Sequence, residues 1–93
     1  MLKELDAHPI LVTTPFLHEY ADAIRKADPK FFDEFYSIID KVKHNTGIEY
    51  YDYSQDERYC HDYSLFINSN HMNRTGARKF TNDLLREVLG IVP

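Results

Sequence analysis

The sequence has little of what membrane-spanning, secreted and nucleic-acid-binding proteins are built from. No apolar run is longer than about four residues, whereas a membrane-spanning helix needs ~20, so no membrane partner is expected. The first residues lack the apolar stretch of a signal peptide, and the single Cys60 cannot form an internal disulfide. These features leave the cytoplasm as the default compartment. The 15 Asp and Glu outnumber the 11 Lys and Arg, which disfavours a nucleic-acid partner.

What is present describes one small globular domain, and we treat residues 1–93 as a single unit. Apolar residues make up 43% and charged residues 28% of the chain, which is an ordinary globular composition. Tryptophan is absent, but seven Tyr and six Phe are present. Aromatic rings must therefore build much of the core.

Two strands are predicted, over about residues 9–14 and 48–53. The first is a β-branched apolar run without polar alternation, which is typical of a parallel strand buried on both faces. The second is rich in aromatic residues. Because helical segments separate them, the strands are expected to pair in parallel through a crossover. Pro15 ends the first strand, so Thr13 and Thr14 lie at its carboxyl end, where ligands of open α/β sheets bind.

Apolar residues at helical spacing predict three helices, with short polar or glycine-containing segments between them. Asp28 is a suitable N-cap and Pro29 a suitable first residue for the second helix. Gly47 and Gly90 supply the left-handed residue that commonly ends a helix. The predicted helices cover about residues 17–27, 29–45 and 74–89.

The remaining segments suggest an incomplete fold. Met1–Ala7 is typical of the tail of a helix, Ser54–Asp62 of a polar turn, and Tyr63–Ile67 of a packed loop rather than a strand. Two parallel strands alone form a marginal sheet with two unpaired edges. We therefore expect a partial α/β domain that completes its sheet by self-association into a homo-oligomer.

A polar stretch around His71 precedes the last helix. Its order is Asn68-x-x-His71-x-Asn73, followed by Gly76-Ala77. A loop that is pinned by the following helix is a common way to place an imidazole for proton transfer. Asn73 suits an N-cap, and Gly76 permits close packing. The simpler interpretation is a polar helix entry with no catalytic role.

This order resembles the last conserved block of the SGNH (GDSL-type) hydrolases, which are flavodoxin-like α/β esterases and acyl hydrolases. Their block reads Asp-x-x-His, often continued as His-Leu-Asn-x-x-Gly-Ala before the final helix. The segment Ile10–Pro15 is similar to their late Val-Thr-Thr-Pro strand, and Ile48–Tyr53 to the strand before the His block. The resemblance implies that the chain is the C-terminal half of a flavodoxin-like, three-layer α/β/α domain.

The resemblance also implies roles for two residues. His71 matches the general base that takes the proton from a serine nucleophile. Asn68 stands where the family has the Asp that orients the imidazole. An Asn accepts a hydrogen bond from the ring but brings no charge, and loss of a triad carboxylate can lower turnover about 10⁴-fold. The alternative carboxylates are Asp52, Asp56 and Asp62, and their spacing selects none of them.

The family's nucleophile and oxyanion donors have no counterpart here. The sequence contains no Gly-Asp-Ser and no Gly-x-x-Asn, and it has three glycines in all. A general base without nucleophile or oxyanion hole gives little rate enhancement. We therefore expect a chain that is inactive on acyl esters unless an N-terminal half completes it. The alternative, from a different class, is a non-catalytic assembly domain that forms a homo-oligomer.

Other groupings carry weaker signals. Cys60-His61-Asp62 together with His71 lacks the repeated short spacing of zinc ligands, and neighbouring Cys and His residues do not suggest a catalytic dyad. No metal and no cofactor are therefore expected. The sequon at Asn73 lies at a helix start and is interpreted as chance. A cluster of tyrosines could offer a stacking surface, but packing is the favoured role: Tyr50, Tyr51, Tyr53, Tyr59 and Tyr63.

Overall fold

The computed structural model describes residues 9–91, a mixed α/β arrangement around a small parallel sheet. The predicted helix tail over residues 1–7 lies outside the described residues. In chain order, the elements are β1 (Ile10–Thr13), α1 (His18–Ala27), α2 (Phe31–Thr46), β2 (Glu49–Asp52), α3 (Glu57–Cys60), a 3₁₀ turn (Tyr63–Leu65), β3 (Phe66–Asn68), β4 (His71–Met72) and α4 (Arg74–Val88).

The parallel pairing of the first two strands is confirmed. Ile10 lies opposite Glu49, and Thr13 lies opposite Asp52, so the carboxyl ends of β1 and β2 meet at one edge of the sheet. The helices α1 and α2 form the connection between the two strands. This order follows from the apolar run at β1, the two amphipathic helices and the aromatic strand β2.

The prediction that the first strand is buried on both faces was wrong. All four residues of β1 are only half-buried. Within residues 9–91 the sheet consists of β1 and β2, so each of these strands has one neighbour and one edge without a strand. A strand of a small sheet is less covered than a central strand of a large one, although its sequence is equally apolar.

Different helices cover the two faces of this sheet. On one face, Val12 and Tyr51 pack against a core that includes Phe80 of α4. On the other, the Tyr36 hydroxyl of α2 donates to Asp52. The alternation of side chains along β2 sends Tyr51 and Asp52 to opposite faces. The buried core consists of Leu17, Tyr53, Tyr59, Leu65, Phe66 and Phe80.

The second helix begins two residues later than predicted. Asp28 does not cap α2 directly; its carboxylate accepts from the Lys30 backbone N–H (3.2 Å) and its carbonyl from the Phe31 N–H (3.0 Å). The segment 29–30 is therefore a turn, and α2 starts at Phe31. The predicted stops are confirmed, because Gly47 and Gly90 have φ of 70° and 69°.

The segment between β2 and α4 is more ordered than predicted. Ser54–Asp62 contains the short helix α3, which Asp56 caps by accepting from the Arg58 N–H (2.9 Å). The interpretation of Tyr63–Ile67 as a loop was wrong, because Phe66 and Ile67 belong to β3, which pairs antiparallel with β4. Strands of two or three residues are too short to show an alternating pattern. None of the helices described is long and apolar enough to cross a membrane.

Candidate acid–base site

A tight hairpin presents His71 at the start of β4. The Asn68 side-chain oxygen accepts from the Asn70 backbone N–H (3.2 Å) and pairs with the His71 Nδ1 at 2.9 Å. Because a carboxamide oxygen can only accept, Nδ1 carries the proton in this pairing. The neutral imidazole then has Nε2 as its proton acceptor. This tautomer is the one that a general base requires.

The hairpin is fixed to the fold on both sides. The Leu17 N–H donates to the Ser69 carbonyl (2.8 Å), which ties the turn to the segment before α1. The Asn73 side chain accepts from the Gly76 N–H (2.8 Å) and donates to the Ser64 carbonyl (2.8 Å). The predicted N-cap at Asn73 is therefore confirmed. His71 lies between these two attachments.

Gly76 fits the close contact that the sequence predicted. A Cβ at this position would lie 2.1 Å from the Leu65 carbonyl oxygen, far inside van der Waals contact. That same oxygen accepts from the Asn73 N–H at 2.9 Å. The first turn of α4 therefore sits directly on the chain that leads into β3, which holds the hairpin in place.

Two neighbouring clefts open beside the hairpin. One, of about 350 Å³, is lined by His71 together with Thr14, Pro15 and Phe80. The other, of about 250 Å³, is lined mainly by aromatic rings. Thr14 and Asn70 line both clefts, so the two are adjacent. Both lie at the carboxyl end of β1, where the sequence placed a ligand-binding edge.

The second cleft lies between α1 and α2 and is largely apolar. Burial, with the bond to Asp52, raises the pKa of Tyr36, which lines the cleft, to about 12. Burial also raises the pKa of Tyr50, whose hydroxyl lies 2.5 Å from the Oγ1 of Thr13, a residue that lines the cleft. Such a cleft suits an apolar group with a few hydroxyl contacts. The rings that line it belong to Phe16, Tyr20, Phe31, Phe32, Phe35 and Tyr36.

The three alternative carboxylates bond other groups. Asp52 accepts from Tyr36 and from the Ser54 hydroxyl. Asp56 is held by Arg58, and Asp62 accepts from the Ser64 N–H and hydroxyl. Asn68 is therefore the group that the described structure pairs with the His71 ring.

The tyrosines are divided between core and surface. Tyr59 is fully buried and Tyr53 is 8% exposed, whereas Tyr63 is 55% exposed. The Tyr59 hydroxyl donates to Asp83 (2.5 Å) and that of Tyr53 to Glu87 (3.2 Å). The predicted packing role is confirmed for Tyr53 and Tyr59.

A second group of side chains comes together at α3. A Glu57 carboxylate oxygen, the Cys60 sulfur and a His61 ring nitrogen all lie within 4.8 Å of one another. From the sequence, Cys60 and His61 were considered as metal ligands together with Asp62 and His71, and no metal was expected. Glu57 was not among these candidates. It comes close to Cys60 and His61 only because α3 is helical, and a helix brings positions i, i+3 and i+4 to one face.

No protein-family model, curated protein or solved structure matches this chain. The resemblance to the SGNH hydrolases therefore rests on the residues themselves: the β1 segment, β2 and the run from Asn68 to Ala77.

Proposed function

We propose that the chain supplies the histidine-bearing, C-terminal half of an SGNH-type esterase or acyl-hydrolase site, within a flavodoxin-like domain. The observation that carries the proposal is the pairing of His71 Nδ1 with Asn68 Oδ1 at 2.9 Å beside a cleft at the carboxyl end of β1. The parallel order of β1 and β2 and the terminal position of α4 are consistent with it.

In this role His71 works through Nε2. It removes the hydroxyl proton of a serine as the serine oxygen bonds to the ester carbonyl carbon, and it returns that proton to the leaving alkoxide. Asn68 keeps the ring in the Nδ1–H tautomer. It brings no negative charge, so it stabilises the imidazolium formed during the reaction less than an Asp would. The apolar cleft next to Thr14 accepts the acyl chain.

These 93 residues alone do not complete the reaction. The sequence has no Gly-Asp-Ser block. The nucleophile and the oxyanion donors would therefore come from an N-terminal half of the domain. The coding sequence upstream of Met1 tests this cheaply. A strand followed by Gly-Asp-Ser in frame supports the proposal, and its absence favours the assembly alternative.

Hydrolysis of a short-chain nitrophenyl ester tests the assignment of His71. The 93-residue chain and its His71→Ala variant are expected to show the same background rate. In the chain extended by a Gly-Asp-Ser segment, His71→Ala should abolish turnover, whereas His44→Ala, at an exposed position near the end of α2, should leave it unchanged. Equal turnover of the extended chain and its His71→Ala variant would refute the role.

Asn68→Asp sharpens the same test. A carboxylate at this position stabilises the imidazolium, and its loss in a complete triad costs about 10⁴-fold in turnover. The variant of the extended chain should therefore turn over faster than the parent. A slower variant would mean that Asn68 does not act on His71.

The alternative function, a non-catalytic assembly domain, is favoured by the unpaired edges of the β1–β2 sheet within the described residues. Each strand of the β1–β2 sheet lies at an edge within residues 9–91, and β1 is half-buried along its length. Exposed apolar side chains add to the surface, with Ile67 74% and Leu89 53% exposed. A homo-oligomer that pairs these edges would cover them. Light scattering at micromolar concentration tests this, and a monomer mass would exclude it.

A further inference from the structure

We propose that α3 carries a zinc site in which Glu57, Cys60 and His61 bind one Zn²⁺ and His18 of α1 supplies the fourth ligand. The site lies apart from the acid–base site, because none of the four residues is among the described residues that line the two clefts beside His71. It is therefore independent of the proposed hydrolase role.

The spacing brings three ligand atoms to one point. Glu57 and Cys60 are the first and last residues of α3 and His61 is its C-cap, and their ligand atoms lie within 4.8 Å of one another. In a tetrahedral site with bonds of about 2.0 to 2.3 Å, ligand atoms lie roughly 3.3 to 3.8 Å apart. Glu57 and His61 are exposed, so their side chains have room to rotate and bring the ligand atoms closer together.

The ligand types fit zinc in charge and softness. A carboxylate and a thiolate neutralise the divalent ion, and a neutral imidazole completes the set without adding charge. At present the His61 Nε2 contacts the Glu57 carboxylate directly at 2.8 Å. The metal would take the place of this contact. Cys60 is buried, so its sulfur forms the inner wall of a site that is open to solvent on the other side.

His18 of α1 lies close enough to His61 to serve as the fourth ligand. Its ring centroid lies 4.7 Å from that of His61. Its Nδ1 lies 3.5 Å from the Asp22 carboxylate, which is the outer-shell arrangement that orients a metal-binding imidazole. Its Nε2 is 3.3 Å from the Tyr63 hydroxyl and turns to the metal by exchanging this weak contact. The ion would thereby fasten the start of α1 to α3.

The test uses the untagged, reduced 93-residue chain and two metals. Cys60 is the sole cysteine, so Co²⁺ should produce a thiolate-to-cobalt absorption band that reports on this residue alone. Zn²⁺ should bind with one-to-one stoichiometry in competition with a chromophoric chelator, and it should raise the melting temperature. No thiolate band and no zinc binding would overturn the proposal.

Single variants assign the ligands. Cys60→Ser should abolish the cobalt band and weaken zinc binding roughly 100-fold or more, since loss of outer-shell partners alone costs about 10–100-fold. Glu57→Gln, His61→Ala and His18→Ala should each weaken it at least roughly 10-fold. The matched control His44→Ala should bind as the parent does. Unchanged affinity in Cys60→Ser would overturn the site, and unchanged affinity in His18→Ala would overturn the fourth ligand.

Discussion

The two faces of the β1–β2 sheet are built in different ways. The packed side contains the buried core cluster, in which Tyr59 is fully buried. The ring of Phe80 contacts the rings of Tyr53 and Tyr59 edge-on, at centroid distances of 5.2 and 5.8 Å. On the open side, the rings between α1 and α2 line a cleft, and Phe31 remains 40% exposed.

The contrast separates the stability of the domain from its chemistry. The packed side supports the hairpin that carries His71, because α4 at Gly76 packs directly against the Leu65 backbone that leads into β3. The open side provides the cleft that a ligand would fill. A fold that supports a site in this way places the reactive group on the rigid part and the binding surface on the accessible part.

Truncation of one aromatic ring on each side of the sheet should give the largest difference in stability between the packed side and the open side. Tyr59→Ala should lower the free energy of unfolding by about 4 kcal/mol, because it removes a fully buried ring and leaves a cavity. Phe31→Ala, with a partly exposed ring, should cost about 1 kcal/mol. Urea denaturation of both variants measures the difference. Similar losses would contradict the distinction between the two sides.

Added methyl groups form a second pair. Gly76→Ala should destabilise the chain by about 3 kcal/mol, since the new Cβ meets the Leu65 backbone and α4 must move away. Gly47→Ala, at the end of α2, meets no atom within 4 Å and should cost about 1 to 2 kcal/mol for its left-handed conformation. Thermal unfolding compares them. A larger loss at Gly47 would show that the hairpin support is not tight.

Acid should affect the packed side through a small charge cluster. Arg58 bonds Asp56 and Glu87 and lowers the pKa of both carboxyl groups. Because the folded pKa values are depressed, this stabilisation is complete above the unfolded values, about 4, and is lost as the pH falls through the folded ones.

The groups are partly solvated, so Arg58→Met should cost no more than about 1 kcal/mol at neutral pH, and its stability should depend less on pH below about 4. Arg78→Met, a control at an exposed position of α4, should retain the parent pH dependence. Unfolding measured from pH 3 to 7 decides the matter. An unchanged acid slope in Arg58→Met would contradict the assignment.

The long elements were predictable because each carries a repeated local signal. The apolar stripe of α2, the left-handed Gly47 and the cap at Asn73 act over a few residues and are visible in the sequence. The β3–β4 hairpin was not predictable, because strands of two or three residues are too short to show an alternating pattern. The partial exposure of β1 was not predicted, because the burial of a strand depends on how many strands its sheet contains.

The candidate site was predictable in part. The resemblance to the SGNH block implied that Asn68 orients His71, and the turn at residues 69–70 brings their side chains together. The carboxyl end of β1 was predicted as the ligand-binding edge, but the aromatic lining of the cleft between α1 and α2 was not, because its rings come from two helices and a loop. Glu57 was recognised as a candidate zinc ligand beside Cys60 and His61 only from the structure, in which residues 57–60 form a helix.

The central claim is that Asn68 holds His71 as a neutral base with Nε2 free to accept a proton. Long-range ¹H–¹⁵N correlation of the imidazole distinguishes the two tautomers at alkaline pH, where the ring is neutral. The structure predicts the Nδ1–H tautomer in the parent chain and loss of this preference in Asn68→Ala. A predominant Nε2–H tautomer in the parent would contradict the claim.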